Sequence, residues 1–193
     1  SALVRTVRFA PSAPFVPLEW QGKPIVAIIA CHTGPLDQAR RDLAPLRELG
    51  GSILDAIVEK DYAEQQRLID GTQPNGYHYY WKSEYISELP DRLLSGFRDQ
   101  AARETSPMCQ MVLFHIGGAI GERLPDDGAV GNRNATYVMI MAAAWRPDDP
   151  DGKRHIAWAR GAWEALRSYS CGGHYINFET VDEGEDRTRA AYG

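Results

Sequence analysis

The sequence predicts an α+β fold, in which a mostly antiparallel β-sheet carries helices packed on one face. Three observations lead to this prediction. Several segments are apolar throughout or alternate between apolar and polar residues, as strands do. Other segments repeat apolar residues at three- or four-residue spacing, as amphipathic helices do. The two kinds of segment alternate only loosely along the 193 residues, and a chain of this length fits one domain.

Seven segments are expected to form strands. Residues 25–31 are continuously apolar, which is typical of a strand that is covered on both faces. Residues 78–86 are rich in aromatic side chains, which favour strands. The predicted strands are residues 2–9, 25–31, 52–60, 78–86, 108–116, 135–145 and 174–179.

Five helices are predicted between and after these strands. One of them carries Leu89, Leu93, Phe97 and Ala101 at four-residue spacing, which gives it an apolar face. Because proline lacks the N–H that a helix interior needs, Pro45 is expected to kink or split the helix in which it lies. The other predicted helices are residues 36–49, 61–70, 153–168 and the tail at 182–192.

Composition narrows the function classes. Hydrophobic residues make up 44% of the chain and charged residues 24%, as in an ordinary globular protein. The net charge of −5 gives no support for nucleic acid as a partner. No apolar run has the length of a membrane span, so no membrane partner is expected. The three cysteines are widely spaced and the histidines lack metal-ligand spacing, so no metal site is expected.

The predicted strand at 78–86 carries the first candidate site residues. Alternation places Tyr80 and Lys82 on one face of this strand, and Tyr79 and Trp81 on the other. One face is expected in the core. The other could line a ligand surface, since tyrosine offers an apolar ring and a hydroxyl. Packing of a core with a solvent-exposed rim is the alternative.

Histidine and tyrosine supply the other candidates. His115 lies in an apolar strand, and is either a core histidine or a polar group at a substrate cavity. Tyr175 and Asn177 share one face of the predicted strand at 174–179, and a tyrosine can act as a general base or hydrogen-bond partner. His174 is expected to lie in a surface loop, and His155 is expected to be solvated at the start of a helix.

Several segments, in this order, resemble the berberine-bridge-enzyme-like family of FAD-linked oxidases. The resemblance covers nearly the whole chain. It rests on the set of segments rather than on one motif. The segments are residues 14–34 (PFVPLEWQGKPIVAIIACHTG), 43–47 (LAPLR), 79–89 (YYWKSEYISEL), 114–122 (FHIGGAIGE), 155–169 (HIAWARGAWEALRSY), 175–179 (YINFE) and 183–193 (EGEDRTRAAYG).

The resemblance implies a domain plan. In that family an N-terminal pair of domains holds the flavin, and a substrate domain with an antiparallel sheet follows. Residues 1–170 are then the substrate-binding domain, and residues 171–193 begin a segment that returns to a flavin domain absent from this chain. FAD is the cofactor expected in the parent protein, and none is expected on this chain alone. The implied partners are a small-molecule substrate and the FAD-binding domain.

The resemblance also implies roles for single residues. The family's YxNY pattern corresponds to residues 175–178, and its last tyrosine often serves as the catalytic base. Phe178 stands there and cannot accept a proton, so the base becomes Tyr175, His115 or a residue of the absent domain. The implied substrate-binding residues are Tyr80, Lys82, His115 and Tyr175, with Tyr175 as the catalytic candidate and Asn177 as a cofactor-binding residue.

The implied function is oxidation of a small organic substrate by hydride transfer to FAD, with reoxidation of the flavin by oxygen. The alternative is a stand-alone α+β ligand-binding or dimerisation module without redox activity. If the chain is a substrate domain, the surface that meets the flavin domain should be unusually apolar. We therefore expect a large exposed apolar face, or a homo-oligomer that forms through the exposed sheet face.

Overall fold

A computed structural model of the chain describes residues 10, 12, 14–123, 131–180 and 182–192, and the backbone of residues 2–7. The side chains of residues 187, 190 and 192 are outside this description. The last two residues of the predicted strand at 2–9 also lie outside the described residues.

The described residues form one five-stranded sheet in which every neighbouring pair of strands is antiparallel. The order across the sheet is β2-β1-β4-β5-β3, so β3 is an edge strand. This topology confirms the predicted antiparallel sheet. The strands are β1 (Ala2–Val7), β2 (Ile25–Ala30), β3 (His78–Ile86), β4 (Gln110–His115) and β5 (Tyr137–Trp145).

Two of the helices cover one face of the sheet, as the sequence predicts. They approach closely because Gly96 has no side chain: a Cβ there would lie 2.8 Å from Cδ2 of Leu166. None of the helices in the described parts of the chain is long and apolar enough to cross a bilayer. The helices are α1 (Leu36–Arg47), α2 (Tyr62–Gln66), α3 (Asp91–Ala101), α4 (Gly152–Leu166) and α5 (Glu185–Tyr192), of which α3 and α4 cover the sheet.

Alternation along the strands separates two apolar clusters. On the face covered by α3 and α4, which we call the helix face, Met111, Met139 and Met141 pack against Leu93 and Leu166. The opposite face we call the strap face, because it is covered by the segment after α4. That segment, residues 170–180, 182 and 183, is the strap. The strap-face cluster consists of Trp81, Tyr85, Val112, Phe114, Ile116, Ala135, Val138, Ile140 and Ala142, with Cys171, Tyr175 and Phe178 from the strap.

The predicted strand at 52–60 is wrong, because residues 52–60 form no strand. Local polar contacts use the backbone groups that a sheet would need. The carboxylate of Asp55 accepts a hydrogen bond from the N–H of Ile57 (2.9 Å), and the guanidinium of Arg47 donates to the carbonyl of Ile57 (2.7 Å). The short segment is therefore held by Asp55 and by Arg47 of α1 rather than by a neighbouring strand.

The predicted strand at 174–179 is also wrong. Residues 176–178 form a 3₁₀ turn, in which the N–H of Phe178 donates to the carbonyl of Tyr175 (2.9 Å). The turn lies across one face of the sheet and not beside a strand. Gly172 and Gly173 precede it with φ values of 105° and 67°, which break an extended chain.

The expected split at Pro45 is wrong as well. One continuous α-helix, α1, runs through Pro45, and the N–H of Glu48 still donates to the carbonyl of Ala44 (3.1 Å). Pro45 stands in the last turn of this helix. Its missing N–H therefore removes a single hydrogen bond near the helix end.

Candidate functional site

The strap leaves the helix face at the end of β3. The hydroxyl of Ser170 donates a hydrogen bond to the carboxylate of Glu84 (2.5 Å), which lies on the helix face. The next residue, Cys171, donates its backbone N–H to the carbonyl of Tyr85 (2.9 Å) and packs on the strap face. The chain thus crosses the free edge of β3 between residues 170 and 171.

The strap returns to the helix face further along the same strand. The hydroxyl of Tyr80 donates to the carboxylate of Asp182 (2.6 Å). The ammonium of Lys82 donates to the carboxylate of Glu183 (2.7 Å). Because Tyr80 and Lys82 point away from the strap face, the strap wraps around β3 and is held at both ends from the opposite side of the sheet.

An aromatic cluster lies between these two crossings, on the strap face. Phe178 is at its centre. Its ring centroid lies 5.2 Å from that of Trp81, 5.5 Å from that of Tyr175 and 6.3 Å from that of Phe114. The contacts with Trp81 and Tyr175 are edge-to-face, a preferred geometry for aromatic pairs. Phe178 and Tyr175 are only partly buried, so the cluster offers an aromatic surface to a ligand or a partner.

Tyr175 and Asn177 supply the polar groups of this surface. The side-chain amide of Asn177 donates a hydrogen bond to the hydroxyl of Tyr175 (2.8 Å), and Asn177 is exposed. That hydroxyl accepts from Asn177 and keeps its own proton for another acceptor. Nearby, burial followed by the proximity of Tyr175 and Cys171 raises the pKa of Tyr85, so Tyr85 stays protonated at neutral pH.

The indole N–H of Trp81 is a further polar group in the cluster. It is buried and has no hydrogen-bond partner among the described residues. A buried donor without a partner is uncommon in a folded protein and costs about 1–3 kcal/mol. Among the described residues, the Trp81 indole N–H beside Phe178 is thus a buried donor without a partner.

We call the first attachment of the strap the Glu84 anchor. Glu84 is almost completely buried, and its two carboxylate oxygens each accept one short hydrogen bond. One donor is the indole N–H of Trp163 on α4 (2.5 Å), and the other is the hydroxyl of Ser170 in the strap (2.5 Å). Glu84 thereby ties together the edge strand, the covering helix and the start of the strap.

We call the second attachment the Lys82 anchor. It joins two cations to two carboxylates. Lys82 and Glu183 form a buried ion pair, and the guanidinium of Arg160 on α4 donates to Asp182 (2.6 Å) and to the hydroxyl of Tyr80 (2.9 Å). The ammonium of Lys82 also lies 3.4 Å from Asp182. The charges of the cluster balance, which fits its partial burial.

The protonation states in the Lys82 anchor follow from these contacts. Burial opposes ionisation of Asp182, but hydrogen bonds from Thr180, Tyr80 and Arg160 outweigh it and hold the pKa of Asp182 well below its usual value. Burial also opposes the charge of Lys82, and the neighbouring Glu183 more than compensates, so the pKa of Lys82 is raised. Both groups are therefore charged at neutral pH.

The structure places the four predicted substrate residues on two faces. Tyr80 and Lys82 lie on the helix face, in the Lys82 anchor. His115 is exposed at the end of β4, in edge-to-face contact with Tyr137 on the helix face, so it is not a core histidine. Tyr175 lies on the strap face. The structure thus brings Tyr80 and Lys82 together and keeps both apart from Tyr175.

The remaining predicted site residues lie in the strap. Asn177 and Phe178 lie in the 3₁₀ turn that begins after Tyr175. They do not lie in the strand that the sequence predicts. Their roles toward substrate or cofactor stay predictions. The expected solvent exposure of His174 and His155 is wrong. His174 is fully buried, with Nε2 3.4 Å from the carboxylate of Glu179. His155 is fully buried between Thr105 (2.8 Å) and Asp149 (3.0 Å).

The sequence patterns do not predict three of the residues that hold the strap. These are Glu84, Asp182 and Glu183. A signal for Glu84 exists, since a charged residue on the same face of an aromatic strand as Lys82 needs a partner when it is buried. Nothing comparable marks Asp182 and Glu183, which lie in a polar tail.

Comparison with known proteins gives relatives of one kind. No family model matches the chain. A curated FAD-linked oxidoreductase of Dictyostelium discoideum is 27% identical over 154 residues, which cover 79% of this chain and 34% of the relative. The chain therefore spans about a third of the length of this relative.

Solved structures share the fold. 6-Hydroxy-D-nicotine oxidase from Arthrobacter nicotinovorans matches all of this chain and 41% of its own, with a TM-score of 0.74 and 19% identity. Berberine bridge enzyme from Eschscholzia californica matches 95% of this chain and 38% of its own, with a TM-score of 0.74 and 15% identity. These matches confirm the predicted α+β fold and the resemblance to berberine-bridge-enzyme-like FAD-linked oxidases.

Proposed function

This chain has the substrate-binding-domain fold of the berberine-bridge-enzyme-like FAD-linked oxidases, and we propose that it forms the substrate side of the active site of an FAD-dependent oxidoreductase. The observation that carries the proposal is the strap face. There a partly exposed aromatic cluster is combined with the hydroxyl of Tyr175 and the amide of Asn177. Apolar walls with few convergent polar groups are typical of sites for small organic molecules.

Tyr175 is the proposed group for proton transfer. FAD, when bound, supplies the acceptor for a hydride from a substrate carbon and passes the electrons to oxygen. The proton on the attached oxygen or nitrogen must leave separately, and Tyr175 Oη would take it up while releasing its own hydroxyl proton to water, so that Tyr175 relays the proton. The amide of Asn177 fixes that oxygen from one side (2.8 Å). Phe178 packs beside Tyr175 and excludes water without offering a proton acceptor.

The described residues fit part of FAD. A flat aromatic ring system suits the surface around Phe178, Trp81 and Tyr175, and Asn177 offers a polar group at its rim. Among the described residues we find no helix N-terminus that suits the pyrophosphate in the glycine-rich segment, because Gly118–Ile120 form a short 3₁₀ turn there. The proposal therefore places the phosphates on a separate flavin-binding domain, and this chain over the rings.

The exposed apolar residues support an interaction with a separate flavin-binding domain. Among the described residues, 13 large hydrophobic side chains are exposed, and 11 of them fall between Phe15 and Ile69, including Leu18, Val26 and Val58. Neither α1 nor α2 has a buried residue. Exposed apolar surface on this scale marks an interaction surface, and we propose that the flavin-binding domain covers it.

The test is to express this chain together with the coding sequence on either side of it. The longer protein should be yellow and retain flavin, whereas the 193-residue chain alone should be colourless. Amide hydrogen exchange should slow at Asn177 and Phe178 and across residues 15–69 in the longer protein, relative to the chain alone. A colourless longer protein, or equal exchange in both, would contradict the proposal and favour a stand-alone module.

A further inference from the structure

We propose that Lys82 and Glu84 are positioning residues. Their side chains bind the two ends of the strap from the helix face, and thereby hold the turn of Tyr175 to Phe178 in place on the strap face. This inference rests on the proposed function for its meaning in catalysis. Its structural content does not depend on flavin, because it concerns contacts within this chain alone.

The first step is the geometry of β3. Alternate side chains of this strand point to opposite faces, so Trp81 and Ser83 lie under the strap while Lys82 and Glu84 lie on the far side. β3 is an edge strand, and a segment can reach both faces only by passing around its free edge. Lys82 and Glu84 are two residues apart and meet opposite ends of the strap.

The second step is the weakness of the other attachments. In the described part of the strap, Cys171 is the one residue whose backbone bonds to a strand. The turn itself is closed by local bonds, from Phe178 to Tyr175 and from Glu179 to Ile176, which do not fix its place on the sheet. Ring contacts with Trp81 and Phe114 also hold it there, but these contacts are apolar and not charge-assisted.

The third step is the strength of the two anchors. The side chains of Lys82 and Glu183 are 5% and 2% exposed, and their ammonium and carboxylate lie 2.7 Å apart. Glu84 accepts two hydrogen bonds of 2.5 Å, one of them from Ser170. Charge-assisted hydrogen bonds are short, directional and about twice as strong as neutral ones. The anchors therefore define the register of the strap, and with it the position of Tyr175 Oη.

The two faces of the sheet therefore have different roles. Residues on the helix face set the geometry of a turn that carries its chemistry on the strap face. A substitution at Lys82 or Arg160 should therefore loosen the turn without touching the proposed substrate surface. Tyr80 takes part through Asp182, which it holds together with Arg160.

The test compares two exposed arginines on the same helix. Arg160→Gln removes the guanidinium from Asp182 in the strap, and Arg154→Gln removes it from Asp149 outside the strap. The two side chains are 54% and 50% exposed, so general effects on the helix surface are matched. The readout is amide hydrogen exchange at Phe178 and Glu179 relative to exchange at the β5 amides.

Arg160→Gln should raise this ratio about threefold or more, and Arg154→Gln should leave it unchanged. Lys82→Met should raise it about tenfold or more, because it breaks a buried pair. The near-ultraviolet circular dichroism of the aromatic cluster should weaken in the same two anchor variants. A ratio that stays constant in both Arg160→Gln and Lys82→Met would overturn the proposal, since the anchors would then contribute only to overall stability.

The outcome can be separated from that of the proposed function. These measurements use the 193-residue chain without flavin. A colourless longer protein would leave the positioning role standing, and a constant exchange ratio would leave the flavin proposal standing.

Discussion

The ammonium of Lys82 lies 2.7 Å from the carboxylate of Glu183, a residue 101 positions further along the chain. Both side chains are almost completely removed from solvent. The pair joins the edge strand β3 to the strap, so that a strand residue facing the helices controls a segment that lies on the opposite face of the sheet.

Replacing Lys82 by Met should lower the free energy of unfolding by about 3 kcal/mol, because it leaves the Glu183 carboxylate buried without its cation. This is the lower end of the range for broken buried pairs, since the strap can swing out and rehydrate Glu183. The double variant Lys82→Met with Glu183→Met should recover most of the loss. Urea denaturation measures all three free energies.

The matched control for Lys82→Met is Arg146→Met. Arg146 pairs with Asp148 at 3.0 Å, and both side chains are well exposed, so this change should leave the free energy of unfolding nearly unchanged. Equal losses for the two single variants would show that the Lys82–Glu183 pair is no stronger than a surface ion pair.

Acid should weaken the strap through Asp182. The folded-state pKa of Asp182 lies below the value of about 3.9 in an unfolded chain. Its contribution to stability is therefore complete above that unfolded pKa, and it is lost as the pH falls through the folded pKa. Asp182→Asn should be less stable than the wild type at pH 7. It should also lose less stability when the pH falls below the unfolded pKa of about 3.9. Urea denaturation at pH 7 and at that acidic pH measures both differences. Parallel losses in the two proteins would be inconsistent with a paired Asp182.

The Glu84 anchor depends on the charge of Glu84. Glu84→Gln keeps the shape of the side chain and can keep both hydrogen bonds, because its oxygen can accept from Trp163 while its amide donates to the hydroxyl of Ser170, but neither bond is then charge-assisted. We expect a loss of about 1–3 kcal/mol in the free energy of unfolding. Glu88→Gln, at an exposed position just after β3, should be near neutral in the same thermal or urea denaturation experiment. A near-neutral Glu84→Gln would mean that the charge of Glu84 contributes little to this anchor.

The unpaired indole N–H of Trp81 makes a prediction of its own. Trp81→Phe loses ring area but also removes a buried donor without a partner, so its net cost should stay below about 1 kcal/mol. Trp158→Phe is the comparison, because the indole of Trp158 donates to the carbonyl of Gln100 (3.1 Å) and the phenylalanine ring cannot make this bond. Denaturation should show the larger loss for Trp158→Phe. The reverse order would indicate that the Trp81 N–H has a partner in solution.

Much of the fold follows from local sequence patterns. Continuous or alternating apolar residues identify β2, β3, β4 and β5, and the spacing of Leu93 and Phe97 identifies α3. β3, β4, β5 and α3 are predictable because the burial of each depends on the period of its own side chains, whereas β2 is marked by its continuous apolar run although none of its residues is buried. The predicted strands at 52–60 and 174–179 are wrong because local spacing alone does not make a strand. Both segments contain apolar residues at strand-like spacing, but no strand lies beside either one to supply hydrogen bonds.

The candidate site was predictable in part for the same reason. Tyr80, Lys82 and Tyr175 stand out as polar groups in aromatic segments. Tyr175 lies in the strap, and Tyr80 and Lys82 bind its far end. Their arrangement depends on contacts between residues about 100 positions apart, such as Tyr80 with Asp182. No local pattern shows that the chain after α4 passes around the edge of β3. The division of these residues between two faces of the sheet therefore emerges only from the structure.

The most direct test of the central claim is the rate of flavin reduction by substrate in the longer protein, measured without oxygen. Tyr175→Phe removes the proposed proton-transfer group, and Tyr169→Phe removes a hydroxyl from the helix-face side as its control. If this chain supplies the substrate side of the active site, Tyr175→Phe slows flavin reduction by about 10²-fold or more, while Tyr169→Phe leaves the rate unchanged. Equal rates for Tyr175→Phe and the wild type would contradict the proposed role of the strap face.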